Sequence, residues 1–296
     1  MVIKKMNRPT LILLVGPSGS GKTTYAEKYI AKHDNTIHLS SDKIRAELWG
    51  HEATQGDNNE VFSLMQSRAI EALNNGQSVV YDATNVTRKD RSYIISLCPK
   101  FVKIEAHVVW APIETCIERD AARERTVGKE VIDRMLKRFQ APYYDEGIDE
   151  IRVSLPDGFD YLAYQLNIYN AMDISHDNPH HSLGIQDHCD EAYRYARNHC
   201  EDDDIITAAL WHDVGKPYCK SFTDSKGNPG EYAHFYQHQC LGSWMVYGIA
   251  PDISPSVPYL ISTHMDPFLN TKYYNRLPNY LKKKVDQLHE CDVNAH

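Results

Sequence analysis

Thr10-Leu-Ile-Leu-Leu-Val15, followed at once by Gly16-Pro-Ser-Gly-Ser-Gly-Lys-Thr23, decides how the first half of this chain is read. An apolar, branched run bounded by glycine is the pattern of a buried parallel strand, and Tyr25 to Lys32 reads as a helix. Strand, glycine loop and helix in that order turn the GxxxxGK[ST] string into a phosphate-binding loop. Gly16, Gly19 and Gly21, with Ser18 and Ser20 between them, let backbone N–H groups turn inward as an anion nest. The helix N-terminus adds its partial positive charge. Lys22 is then set to reach the β- and γ-phosphates and Thr23 to hold Mg²⁺, with Thr24 completing the nucleotide-binding run.

Working outward, Thr36 to Ser40 reads as a second strand. Asp42 follows it at the edge where open α/β sheets place their ligands. A Ser-Ser-Asp cluster is equally suited to capping a helix, so spacing alone leaves Asp42 between two roles. Asn59 to Leu73 carries a helical period and stops at Asn74-Asn-Gly76. Ser78 to Asn85 reads as a buried strand ending in Asp82, an acid placed to orient Mg²⁺ or an acceptor hydroxyl, or to cap a helix. Lys103 to Trp110 is a further strand and Ile113 to Arg123 a helix. Arg119 and Arg123 are four apart and share a face, with Arg125 just beyond. Forked guanidiniums suit a lid over a transferring phosphoryl group, although Glu118, Asp120 and Glu124 would also make this a solvated, paired face.

Together GPSGSGKTT, SSDKIR, VVYDATN and ERDAARERTVGKEVIDRM resemble the polynucleotide-kinase-like branch of the P-loop kinases, over roughly residues 8–155. The resemblance implies that Asp42 is the general base for a 5′-hydroxyl. It also implies that Arg45 helps hold the acceptor strand and that Arg123 contacts the NTP phosphates. Asp82, Thr84 and Asn85 would lie near the acceptor. P-loop kinases of small molecules share much of this pattern.

The chain has 296 residues, 42% apolar and 24% charged, enough for two packed cores. Leu11 to Val15 is too short to span a bilayer and does not read as a signal peptide, so no membrane is expected. Seven cysteines without a CxxC pair point to a reducing, cytoplasmic compartment. The net charge of −8 is uneven: residues 1–152 hold 22 Lys and Arg against 21 Asp and Glu, and the remainder 10 against 19. Eleven of the 15 histidines also fall in the second half. An acidic segment is a poor generic nucleic-acid surface, but a metal site would offset part of its charge.

That second half, from a boundary near residue 158, reads as helices. His188 lies in Leu183–Asn198, His212-Asp213 in Ile205–Val214, and His238 in Gln237–Ile249. His264 lies in Ile261–Asp266 and Asp292 ends Leu281–Asp292. A helical bundle can aim such ligands at one point, and imidazole with carboxylate suits Zn, Mn, Fe, Ni or Co. His176, His180, His199 and His296 read as surface residues.

The segments NPHHSLGIQDH, AALWHDVGKP, HFYQHQCLG and LHECDVNAH resemble the HD superfamily of metal-dependent phosphohydrolases, over about 175–296. The resemblance implies that His188, His212, Asp213 and Asp292 bind metal, with Asp266 the rival for the last position. Water activated by that metal would attack a phosphoester. Asp213 would bridge if two ions bind, and His238 and His264 would be added ligands. Lys216, His181 and His234 would hold phosphate.

The expectation is therefore an α/β P-loop kinase domain, a parallel sheet flanked by helices, over 1–158, followed by an all-α HD-type domain over 159–296. The pairing resembles bifunctional enzymes that heal RNA or DNA ends, adding a 5′-phosphate and removing a 3′-phosphate or 2′,3′-cyclic phosphate. ATP or another NTP with Mg²⁺ would serve one site, and one or two transition-metal ions (Mn²⁺, Ni²⁺, Co²⁺, Zn²⁺ or Fe²⁺) the other. A separate ligase would be the partner. The alternatives are a kinase–nucleotidase acting on nucleosides, nucleotides or another small molecule, and a nucleotide-gated regulator of the phosphohydrolase. RNA against DNA and the oligomeric state are open.

Overall fold

A computed structural model describes residues 8–51, 56–179 and 182–295. The chain divides into two compact units. One runs to Met135 and takes in Pro142–Pro156; the other comprises Leu136–Ala141 and the chain from Asp157 onward.

In the first unit, β1 (Thr10–Val15) is the central strand of a five-stranded sheet. The elements α1 (Lys22–Ile30), β2 (Thr36–Ser40), α2 (Ser41–Trp49), α3 (Asn58–Asn74) and β3 (Ser78–Asp82) follow. Then come α4 (Arg88–Leu97), β4 (Lys103–Val109), α5 (Ile113–Ala121), α6 (Lys129–Leu136) and β5 (Glu150–Ser154). All pairings are parallel and the strand order is β2-β3-β1-β4-β5. Leu11 through Val15 are wholly buried, as strands covered on both faces must be. Because β1 lies between β3 and β4, the loops after β1 and β3 open at one edge of the sheet. The register of Ser40 with Asp82 brings the ends of β2 and β3 to that same edge.

The loop after β3 is anchored from below. Arg91 of α4, fully buried, donates to both carboxylate oxygens of Glu146 at 2.8 and 2.7 Å and to the Asn85 carbonyl at 2.9 Å. This charge-assisted fork fixes where Thr84 is presented.

The second unit contains α7 (Tyr161–Ala171), α8 (Ile185–His199), α9 (Asp203–Trp211) and α10 (Lys216–Cys219). It continues with β6 (Ser221–Thr223), β7 (Pro229–His234), α11 (His238–Met245) and α12 (Ser256–Thr263). The last elements are α13 (Asp266–Leu269), α14 (Thr271–Tyr274) and α15 (Asn279–Val293). Helices α8, α9, α12 and α15 pack on one another and α11 packs on α12. Phe139, from the hexapeptide Leu136–Ala141, is fully buried here, edge-on to Trp244 and Tyr247 at 5.3 and 6.2 Å between ring centroids.

The expectation of an all-helical second half needs correction: β6 and β7 form an antiparallel hairpin. Its signal is Asp224-Ser-Lys-Gly227. The Asp224 carboxylate accepts from the backbone N–H groups of Lys226 and Asn228, and Gly227 takes φ +89°. The expected helix over Ile261–Asp266 is instead the end of α12, and a new short helix starts at Asp266, with Pro267 in its first turn. Among the described residues no helix is long and apolar enough to cross a membrane.

Candidate functional site

The phosphate loop holds three glycines with positive φ, and two of them, Gly19 and Gly21, shape it most. At Gly19, φ is +80° and a Cβ would lie 2.0 Å from the Cys116 carbonyl oxygen, so any side chain is excluded twice over. Gly21, at φ +102°, caps α1 and lets the helix begin at Lys22, three residues earlier than the sequence suggests. Lys22 is buried and its Nζ donates to the Pro17 carbonyl at 2.7 Å. Burial pulls its pKa below the usual lysine range, opposed by the Asp82 carboxylate. Thr23 Oγ1 donates to Asp82 Oδ2 at 3.0 Å, and His38 Nε2 lies 3.0 Å from the same oxygen. A loop threonine hydroxyl beside a strand-end carboxylate is the donor pair that holds Mg²⁺ in P-loop sites.

Gly21, Lys22, Thr23 and Asp82 line a cavity of about 800 Å³ together with Ser18, Asp42, Arg45, Thr84, Arg123 and Arg125. Ser40 supplies the N-cap of α2, accepting from Lys43 N, so Asp42 is free of the capping role. Both Arg45 and Arg125 donate to Asp42 Oδ1 at 2.8 Å, and the side chain is half exposed. Both bonds fall on Oδ1, and Asp42 itself lines the cavity. Arg119 reaches back toward the Ser20 carbonyl at 3.5 Å. Arg123 is near enough to Lys22 to lower its pKa further.

The arginine-bearing segment after α5 has an anchor that the sequence does not reveal. Asp120, 1% exposed, accepts from Ser18 Oγ at 2.9 Å and from the N–H groups of Val127 and Gly128 at 2.9 and 3.0 Å. It ties the phosphate loop to the arginine-bearing segment and is no part of a solvated face. Asn85 is a second correction. Its buried amide donates to the Leu14 carbonyl at 2.8 Å, so it braces β1 and does not line the cavity. Ser20 is buried with an unbonded hydroxyl, and Thr24 is exposed on α1 outside the cavity lining.

In the second unit, His188 (α8), His212 and Asp213 (after α9), His238 (α11), His264 (after α12) and Asp292 (α15) converge. Two ligand groups form around one shared carboxylate: His188, His212 and Asp213, and Asp213, His238 and His264. Asp213 Oδ2 lies 3.8 Å from His188 Nε2 and 3.4 Å from His212 Nε2, while Oδ1 lies 3.1 Å from His238 Nε2. Asp292 Oδ1 is 2.9 Å from His188 Nε2 and 3.5 Å from His212 Nε2.

The tautomers follow from the backbone. Nδ1 of His212, His238 and His264 lies 2.9, 2.9 and 2.7 Å from the carbonyls of Ala209, Phe235 and Ile261. A carbonyl only accepts, so each Nδ1 carries a proton, and in the neutral ring each Nε2 keeps its lone pair for a metal. His212 Nε2 is buried with no hydrogen bond. Nε2 of His238 and of His264 face each other at 3.3 Å. Facing lone pairs repel unless a cation lies between them, so this donor set fits a divalent transition metal.

Burial alone would lower the His212 pKa, but Asp213 and Asp292 raise it well above the ordinary value. Burial and His238 push His264 down to about 3. For Asp213, burial is outweighed by Lys216 and His212, and for Asp292 by the neighbouring His188 and His212; both carboxyls stay well below the usual range.

Lys216 is turned to Asp213 Oδ2 at 2.5 Å and to His176 Nε2 at 3.1 Å. His176, expected at the surface, is 2% exposed, with Nδ1 donating to the Leu183 carbonyl at 2.8 Å. His234 ends β7 and stacks on Tyr236. Asp266 opens α13, on the stretch that follows His264. His181 lies outside the described residues, as do His180 and His296.

Residues 11–142 match the family model described as an AAA domain. The chain is 26% identical over 170 residues to Transcription factor bHLH140 of Arabidopsis thaliana, covering 55% of this chain and 17% of that protein. It is 29% identical over 136 residues to 6-phosphofructo-2-kinase/fructose-2,6-bisphosphatase of Aquarana catesbeiana, covering 40% of this chain and 28% of that one. Both relatives are thus matched over less than a third of their own length. Among solved structures, the Pnkp1/Rnl/Hen1 RNA repair complex aligns at 23% identity and TM-score 0.41, covering 44% of this chain and 43% of that chain. With the family match over residues 11–142 and the geometry of its phosphate loop, the first unit is a kinase-like P-loop domain.

Proposed function

We propose that this chain heals nucleic acid ends. The first unit would transfer a phosphoryl group from an NTP to a 5′-hydroxyl, and the second would remove a 3′-phosphate or 2′,3′-cyclic phosphate. The observation that carries this reading is Asp42, released from helix capping and held between Arg45 and Arg125 in the cavity that contains the phosphate loop. With both arginines on Oδ1, Oδ2 accepts the acceptor's hydroxyl proton while its oxygen attacks the γ-phosphorus and the nucleoside diphosphate leaves. Lys22 moves from the Pro17 carbonyl to the phosphates, and Arg123 meets charge on the transferring group. Thr23 and Asp82 are the residues that would hold Mg²⁺.

In the second unit, His188, His212, Asp213 and Asp292 would hold one ion, and Asp213, His238 and His264 a second. A divalent metal there supplies a Lewis acid that polarises phosphoryl oxygens and lowers the pKa of water. The chain's own contribution is orientation: carbonyls fix three imidazoles, and Lys216 with His176 fixes Asp213.

The test is one short RNA with a 5′-hydroxyl and a 2′,3′-cyclic phosphate, given ATP and Mg²⁺, or Mn²⁺, Ni²⁺ or Co²⁺, with both ends read by mass. Phosphate gained at the 5′ end should vanish in Asp42→Ala, and 3′ processing should vanish in Asp213→Ala. If neither end changes while a nucleoside or mononucleotide is turned over, the acceptor is a small molecule. An ATP effect on hydrolysis that needs no acceptor and survives Asp42→Ala would make the first unit a regulator.

A further inference from the structure

The second unit is acidic, yet on the reading above it must hold a polyanion. The hairpin supplies a means that does not depend on net charge. On β7, Tyr232 is 53% exposed, Ala233 is fully buried and His234 is half-buried, so Tyr232 and His234 share the outer face by strand alternation. Tyr236, 44% exposed, extends the row, and its ring lies nearly parallel to that of His234, 5.3 Å between centroids and 12° between planes. Phe222 of β6 is also exposed, with Lys220 Nζ 6.0 Å from its ring centroid.

Exposed aromatics at alternate positions are costly to leave in water without a partner, and the chain runs from Tyr236 through Gln237 directly into His238 of the metal-ligand cluster. Exposed π-faces leading to a phosphoester-cleaving site match the chemistry of unpaired bases.

We infer that the Tyr232–His234–Tyr236 row is a stacking platform for the last unpaired bases of a single-stranded nucleic acid whose 3′ end enters the metal site. This inference rests on the end-healing reading and adds how the strand is held. It also makes the second unit discriminate strand from mononucleotide by stacking, since a mononucleotide has no further base to place on the row.

The test uses the full chain and a 5′-phosphorylated RNA with 2-aminopurine next to its 3′-phosphorylated end, whose fluorescence is quenched on stacking. Wild type should quench it, and Tyr232→Ala and Tyr236→Ala should each weaken binding about tenfold. Tyr232→Phe and Tyr236→Phe, which keep the ring, should bind like wild type. Hydrolysis of a nucleoside 3′-monophosphate should be unchanged in all four variants. Quenching and binding that survive both alanine variants while the RNA ends are still processed overturn the platform alone. Alanine variants that slow the monophosphate as much as the RNA also overturn it, because the row would then serve the metal site's structure. Tyr-dependent quenching without any processing of RNA ends upholds the platform and overturns the end-healing reading.

Discussion

In the first unit the site for an anion is built from adjacent residues, Gly16 to Thr23, and from backbone groups whose direction the glycines set. In the second unit the candidate site for a cation is built from six side chains spread between His188 and Asp292, on elements that meet only when the helices pack. The first is open, with a cavity of about 800 Å³ and a half-exposed Asp42. The second is closed: all its ligand side chains are nearly buried except Asp292, at 26% exposure. A contiguous loop tolerates movement of its partners, whereas a dispersed buried cluster is only as good as the packing around it.

The largest effect should come from breaking the shared ligand. Asp213→Ala removes an oxygen from both ligand groups and strands the buried Lys216 ammonium. Loss of one member of a buried charge pair costs about 3–5 kcal/mol. Bound metal, counted by elemental analysis, should fall along with 3′ processing, while phosphoryl transfer is kept. Lys22→Met is the counterpart in the first unit. It should lower phosphoryl transfer by about 10²–10³-fold, as removal of one charge-stabilising group typically does, and leave metal content untouched. Metal loss in the second variant, or kinase loss in the first, would break the independence of the two sites.

Linkage sharpens the contrast. A transition metal at 100 times its Kd should stabilise the unit that binds it by about 2.7 kcal/mol, and an NTP with Mg²⁺ should do the same for the other. Scanning calorimetry with each ligand alone would show whether separate transitions move.

Asp120→Asn should have a smaller effect. The substitution keeps the shape but weakens charge-assisted bonds from Ser18, Val127 and Gly128, worth about 1.5–3 kcal/mol when made to a charged group. Because Asp120 is buried outside the cavity lining, KM for the NTP should rise more than kcat falls. Equal losses in both would place it in the chemistry itself.

The same contrast explains what was legible in the sequence. The strand of Thr10–Val15, its loop and the alternation of strands and helices are local, and the five-stranded sheet follows from them. The residue types of the second cluster are visible as histidines on helices, but which Asp213 oxygen faces which imidazole is set by packing across dozens of residues. Asp120 and Ser18 meet across 102 residues, and His176 and Lys216 across 40. Asp120 inside a charge run and His176 beside polar residues give no local sign of burial. Asn85 misled for the opposite reason, because its place after a strand-end acid suggested a ligand role while its φ of +47° turns it onto β1. The hairpin was legible in Asp224-Ser-Lys-Gly227, whose turn chemistry is local, although the surrounding helical pattern obscured it.

The smallest expected effect concerns Glu105, whose carboxyl on β4 is hydrogen-bonded to His107 and Lys103. The His107 bond, set against partial burial and aided by Lys103 and Arg152, holds its pKa down at about 2. A carboxyl depressed in the folded state stabilises the protein above its unfolded pKa of about 4.5, and that contribution fades as pH falls toward 2. Glu105→Gln should therefore flatten the acid limb of the first unit's stability between those values, while losing some stability at neutral pH. Chemical denaturation of both proteins at pH 7, 5, 4 and 3 tests this, with the gap between them expected to narrow as the pH drops. The second unit's acid response should be unchanged by the substitution, since its carboxylates answer to Lys216 and the histidines. A parallel offset at every pH would mean that Glu105 acts by shape alone, and the charge network around β4 would drop out of the comparison.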